Sequence, residues 1–214
     1  MKVIDISMPI EHGMPVYKNK PEKRPVVRNT HNYATGNIYE SEVTLDMHTG
    51  THIDAPLHAM EGGSTMEIYS LERFVTKAKV LDLTGAKERI SAEDLADEDI
   101  RKGDFILLKT RNSFHQEFVE DFVYVDKSAA EHLRDIGIAG VGIDSLGIER
   151  AQADHGTHKA LLGNGIVILE GLRLKEVFKG EYLLCTAPLN IKGVEAAPCR
   201  AFLIELEELR FILD

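Results

Sequence analysis

The chain has 214 residues, 43% of them apolar, which is enough for one sizeable core, and no stretch rich in Gly, Ser or Pro divides it. Asp and Glu outnumber Lys and Arg 35 to 25, and the formal net charge of −10 argues against a phosphate-tracking surface and so against nucleic acid as a partner. Asp5 interrupts the start where a secretory leader needs an apolar core, and no run approaches the roughly 20 apolar residues of a membrane span, so the expectation is a soluble, cytoplasmic protein formed by one domain over residues 1–214.

Val3 to Ser7 reads as a first strand. A long irregular segment follows from Met8-Pro9 through Pro15, Pro21 and Pro25 and carries Tyr17; loops of this length inside compact domains are often functional. Ile38 to Leu45 alternates apolar and polar residues and is expected to be the strand that delivers His48. Beyond His58 come a turn at Glu61–Ser64, a short helix from Met66 to Val75 and a strand from Lys77 to Leu83. Ser91, with an acid three residues on at Asp94, marks a helix start, and the acids from Glu93 to Asp99 read as a solvated face. Asp104 to Thr110 is a compact apolar run suited to a strand buried on both faces. Asp126 to Ile136 has helical periodicity and stops at Gly137, and the next strand, Ile138 to Ile143, ends at Asp144. Strand, helix and strand in that order imply a parallel crossover, hence an α/β fold with a mixed β-sheet, flanking helices and a β-rich amino-terminal half. Asp154 to Leu162 predicts another helix, bearing His155 and His158, before a strand from Ile166 to Leu169 that ends on Glu170. Tyr182 to Ala187 and Arg200 to Leu206 complete the sheet, and Leu209 to Leu213 is an apolar tail expected to pack on the core or on a second subunit. Cys185 and Cys199 form no Cys-x-x-Cys pair and read as buried thiols.

The chemistry concentrates in His48-Thr49-Gly50-Thr51-His52-Ile53-Asp54-Ala55-Pro56-Leu57-His58, where three of the nine histidines and one carboxylate are interleaved with small or backbone-shaping residues. Imidazole and carboxylate together suit divalent ions such as zinc or manganese. A helix would turn Asp54 away from His48 and His52, and Gly50, Thr51, Ile53 and Pro56 are poor helix interiors. A straight strand would put His48 and His58 roughly 33 Å apart at ~3.3 Å per residue. The stretch must therefore bend at Gly50 and loop back so that its side chains converge. Glu170 is the second signal: a carboxylate at the carboxyl end of a buried strand is costly unless it is paired or binds metal.

This stretch resembles the signature of the cyclase-like metal-dependent hydrolases, and the resemblance runs from Ile4-Asp5-Ile6-Ser7 to Pro198-Cys199-Arg200-Ala201. It implies a swivelling β/β/α-like fold, with His48, His52, Asp54 and Glu170 as ligands of a first metal ion and Asp54, His158 and Glu170 as holders of a second. It also implies Zn2+, one or two ions, with Mn2+ as the alternative, and His58 as the catalytic acid/base. Tyr17 stands where the family's formamidases place a pocket aromatic, although the chain has no tryptophan and Lys18-Asn19-Lys20 replaces a more usual Pro-Gly-Asp. His155 lies one helical turn from His158, outside the motif. The implied reaction is hydrolysis of a C–N bond in a small-molecule amide, an aryl formamide such as N-formylkynurenine, by a homodimer or higher homo-oligomer. Hydrolysis of a cyclic amide such as isatin, a ring-closing or dehydrating step, and metal binding without catalysis are the alternatives.

Overall fold

Every residue from Phe105 to Lys109 is buried, as an apolar run between Gly103 and Arg111 requires of a strand covered on both faces. The computed structural model describes residues 2–207, and around that strand they form, in chain order, β1 (Val3–Asp5), β2 (Val26–His31), β3 (Glu40–Thr44), β4 (His52–Asp54), β5 (Val75–Asp82), β6 (Arg89–Ile90), α1 (Ala92–Leu95), β7 (Phe105–Lys109), β8 (Tyr124–Val125), α2 (Lys127–Ile136), β9 (Gly140–Ile143), α3 (Gly156–Leu162), β10 (Val167–Glu170), β11 (Gly180–Pro188) and β12 (Ala196–Glu205). The main sheet runs β1-β12-β11-β5-β7-β9-β10-β4, and a further pairing of β4 with β12 closes it into a barrel-like ring. β5, β7, β9 and β10 are parallel neighbours, as the expected crossover demands, whereas β4, β11 and β12 pair antiparallel. The fold is therefore mixed α/β.

Period-two alternation divides the apolar side chains between two cores. Phe105 and Leu107 face the inside of the ring with Ile53, Val80, Leu169, Leu184 and Leu203. Ile106 and Leu108 face outward with Val141, Ile143 and Ile168, and are covered by Leu133 of α2 and Leu161 of α3. α2 is closed at both ends by its own sequence: the Asp126 side chain accepts from the Ala129 amide, and Gly137 takes the left-handed conformation at φ 80°. α1 carries the capping box of Ser91 and Asp94.

Three expectations change. The Met66–Val75 segment is two 3-10 turns, Met66–Ile68 and Leu71–Phe74, because Tyr69 and Ser70 between them are extended; the Tyr69 hydroxyl donates to the Asp54 carbonyl at 3.1 Å and holds the chain out of a helical path. The strand read over Ile38–Leu45 is β3, and it pairs with β2 in a hairpin outside the main sheet, exposed along its whole length. The residues that enter the sheet from this region are instead His52–Asp54. Cys185 and Cys199 are half-buried rather than buried. The tail Leu209–Leu213 lies outside the described residues.

Candidate metal centre and active site

β4 is only three residues long and is fully buried because it is paired on both edges, with β10 and with β12. Ile53 points into the ring, so His52 and Asp54 point to the outer face, on the side of Ile168 and its helical cover. Register then sets the partners: Glu170 lies opposite His52, and directly opposed residues share a face. α3 starts beside them and contributes His158 from its first turns, with His155 at its cap in a left-handed conformation. Gly50, at φ 64°, makes the bend before β4, and the next loop back, through the 3-10 turn Pro56–His58, brings His58 to the same cavity. Sequence reasoning expected this convergence, although the strand begins after the bend instead of ending before it.

The ligand-type atoms lie close together. His48 Nδ1 is 3.1 Å and His52 Nε2 3.6 Å from Asp54 Oδ1, while His158 Nε2 is 3.5 Å from Asp54 Oδ2. Glu170 repeats the arrangement, with Oε2 3.3 Å from His52 Nε2 and Oε1 3.5 Å from His158 Nε2. Two ligand atoms each ~2.1 Å from one tetrahedral ion stand roughly 3.4 Å apart, so these spacings fit a shared cation. Each carboxylate also turns one oxygen to the His52 side and the other to His158. His52 Nε2, both Asp54 oxygens and His158 Nε2 face one another there, buried without an aligned hydrogen bond; His158 Nδ1, likewise without one, points away toward Glu149. Orphaned polar atoms of this kind are costly unless a cation occupies the space between them, and the donor set fits a divalent ion.

Tautomers are fixed from behind. His52 Nδ1 lies 2.9 Å from the Gly50 carbonyl, to which only a protonated nitrogen can donate, so Nε2 is the nitrogen that faces the centre and exchanges its proton there. Burial draws the His52 imidazole down, but Glu170 and Asp54 more than offset it and lift it to about 9. Burial likewise opposes a charged His158, yet Asp54, Glu149 and Glu170 raise it well above its ordinary value. In Asp54 burial pushes up while His158 and His48 pull the carboxyl well below the usual range. Glu170 is pushed up by burial and by Asp54 and still falls to about 2 through His158 and His52. His58 differs: burial and the neighbouring His48 and His158 hold it below its usual value against the pull of Asp54, so it is a neutral base at neutral pH.

Glu149 was not found from the sequence. It is buried, pairs with His155 Nδ1, and stands 3.2 Å from His158 Nδ1, where it orients the imidazole from the side away from Asp54. An acid following the apolar Ile148 was the one signal available, and it has no periodic context. Glu195 is the other omission, its Oε1 3.5 Å from His48 Nε2. His48, His58, Glu149, His155, His158, Glu170 and Tyr17 line one cavity of about 530 Å³. Tyr17 forms part of its wall and is stacked edge-on against Phe118 and Phe122, with ring centroids 5.5 and 6.3 Å away.

A ring-closed mixed sheet carrying a histidine and carboxylate cluster on its outer face defines a metal-dependent hydrolase fold. The chain belongs to the family described as Putative cyclase, whose model matches residues 4–150. A kynurenine formamidase of Salinibacter ruber is 32% identical over 206 residues, which span 95% of this chain and 97% of that one. The solved structure of a predicted metal-dependent hydrolase from Bacillus stearothermophilus is 51% identical, covers 94% of this chain and 97% of its own, and superposes with a TM-score of 0.87. Isatin hydrolase A of Labrenzia aggregata shares the fold at a TM-score of 0.81, with 22% identity over 95% of this chain and 93% of that one.

Proposed function

We propose that the chain, acting as one catalytic domain over residues 1–214, hydrolyses the carbon–nitrogen bond of an aryl formamide, with N-formylkynurenine as the leading substrate. The observation that carries this is the set of unpartnered buried atoms on His52, Asp54 and His158, in contact with His48 and Glu170, which with His158 line a cavity with an aromatic wall. In this reading His48, His52, Asp54 and Glu170 hold one divalent ion, and Asp54, Glu170 and His158 hold a second, each carboxylate turning one oxygen to each side. A zinc or manganese ion bound there supplies a Lewis acid for the carbonyl and lowers the pKa of water towards ~7.

The protein's own groups do the rest. Hydrolysis leaves the water oxygen on formate and moves one of its protons to the departing arylamine nitrogen. His58, neutral and open to the cavity, is the group placed to carry that proton. Tyr17, its phenol kept protonated by burial and by Glu170 and Glu149, offers an apolar edge to the ring. A homodimer in the cytoplasm completes the proposal. Among the described residues no helix is long and apolar enough to cross a membrane.

Assaying the purified protein against N-formylkynurenine, isatin and simple aryl esters, with zinc or manganese added, tests the reading. The expected outcome is release of formate from the formamide. The isatin hydrolase fold similarity supports ring-opening of a cyclic amide as the second reading, and turnover of isatin alone would replace the formamidase assignment with it.

A further inference from the structure

Four non-glycine residues among those described adopt left-handed backbone: Lys18 (φ 56°), Asn19 (φ 51°), Ala151 (φ 55°) and His155 (φ 51°). Lys18, Ala151 and His155 line the cavity above the metal centre, and Asn19 lies between Lys18 and a further lining residue, Lys20. Such conformations are unfavourable for residues with a side chain and persist only where their surroundings impose them, most often at functional sites. Their gathering at one cavity identifies its rim as a shaped surface.

The charge of that rim opposes the charge of the chain. Against a net charge of −10, three lysines, Lys18, Lys20 and Lys23, line this cavity. Lys23 is answered by Asp46 at 3.1 Å. Lys18 Nζ lies 5.3 Å from the centre of the Tyr17 ring, so the ammonium is placed beside the aromatic wall. Neither Lys18 nor Lys20 has an ion pair among the described residues. The two acids that line the cavity are already engaged, Glu149 by His155 and His158, and Glu170 by His52, His158 and the Ile148 amide. Among the described residues, two cations therefore line the cavity without a protein counter-charge.

We infer that Lys18 and Lys20 form a cationic rim that binds a carboxylate on the aromatic part of the substrate, remote from the amide that is cleaved. The substrate class is then an anionic aryl amide in preference to a neutral one. This inference rests on the reading of the cavity as an amidohydrolase site, and two separate readouts keep the two apart.

The variant Lys18→Gln with Lys20→Gln removes both charges while keeping polar, slightly shorter side chains, and circular dichroism verifies its fold. With 4-formamidobenzoate and formanilide as a matched anionic and neutral pair, the ratio of kcat/KM between them should fall about tenfold in the variant, the size expected when two partly exposed charge contacts are lost. Calorimetric titration of the metal-loaded protein with 4-aminobenzoate, which cannot chelate a metal ion through both of its groups, reads the rim without turnover: its Kd should weaken by about the same factor, and added salt should erode the wild-type affinity more than the variant's. An unchanged ratio, or an unchanged Kd for 4-aminobenzoate, overturns the lysine rim. If neither amide is hydrolysed the amidohydrolase reading falls, and the titration still decides what the lysines bind.

Discussion

His58 is flanked by His48 and His158, with ring centroids 4.2 and 5.1 Å away, yet it belongs to neither carboxylate's set of closest nitrogens. It also stands with His48 and Asp54 in a group that could itself hold an ion, so two roles have to be separated. As the proton carrier, its replacement by Ala should lower kcat by about 10²–10⁴ while leaving the metal content of the protein unchanged. Loss of metal alongside activity, read by elemental analysis, would make it a ligand instead. Asp144 shows why a residue's chemistry was only partly legible. On paper it matches Glu170, an acid that ends an apolar strand. In the fold Glu170 aims its oxygens at His52 and His158, whereas Asp144 accepts from the Thr110 and Ser113 amides, both of their hydroxyls and the Asn112 amide group, clasping the 3-10 turn Arg111–Phe114 to the end of β9. Nothing local distinguishes the two, because the difference lies in what another segment brings to them. Burial raises the Asp144 carboxyl above its usual value despite donors from Ser113 and Thr110. The folded state then holds this proton more tightly than the unfolded chain, so its contribution to stability is largest below about pH 4 and is lost as pH rises through the folded value. Asp144→Asn should cost about 1–3 kcal/mol by turning an NH2 toward buried donors. In urea denaturation across pH, the gap between wild type and variant should narrow as pH rises; a gap that widens contradicts the assignment.

At the scale of elements, legibility followed burial. The two-sided strand β7, the crossover helix α2 and the strand ending on Glu170 leave strong apolar signals, and the sequence located them to within a few residues. β4 does not, since three residues are too few to show a period; its place is set by pairing with β10 and β12, over a hundred positions away in the chain. The β2–β3 hairpin buries no face, so nothing in its apolar pattern could announce the pairing. The loop from His48 to His58 was legible as a bend but not the way it is closed. Gly171, at φ 72°, follows Glu170, and a Cβ there would meet the Gly50 carbonyl well inside van der Waals contact. The missing side chain of Gly171 thus lets the backbone after β10 press against the bend that Gly50 makes before β4. Thr51 reinforces the junction, its hydroxyl donating to the Gly171 carbonyl at 2.7 Å and accepting from the Met8 amide at 2.8 Å. Gly171→Ala should therefore separate His52 from Glu170, and the expected readout is metal affinity weakened by at least about tenfold, comparable to losing a supporting contact behind a ligand. Unaltered affinity in a variant that melts normally would show that the junction does not position the ligands.

For the whole molecule, the centre ties segments that are otherwise distant: the loop from His48 to His58, α3 with its cap, and the end of β10. Fully buried Asp54 and Glu170 repel each other across this junction, and Asp54 is among the causes that raise Glu170. A divalent ion placed between them answers that repulsion only when the chain is folded, because the unfolded chain cannot assemble the set. Binding to the native state alone stabilises it by about 2.7 kcal/mol at a free-ion concentration of 100 Kd. For a domain of this size each kcal/mol moves Tm by roughly 2–4 °C, so a zinc-loaded sample should melt roughly 5–11 °C above one treated with a chelator. Asp54→Asn should abolish most of that difference, since it removes the carboxylate that faces both His48 and His158. The comparison is made by calorimetry on the same preparation before and after chelation and after adding the ion back. A melting temperature indifferent to chelation, in protein shown to have contained the ion, would mean that the cluster is held together by its hydrogen bonds and ion pairs alone.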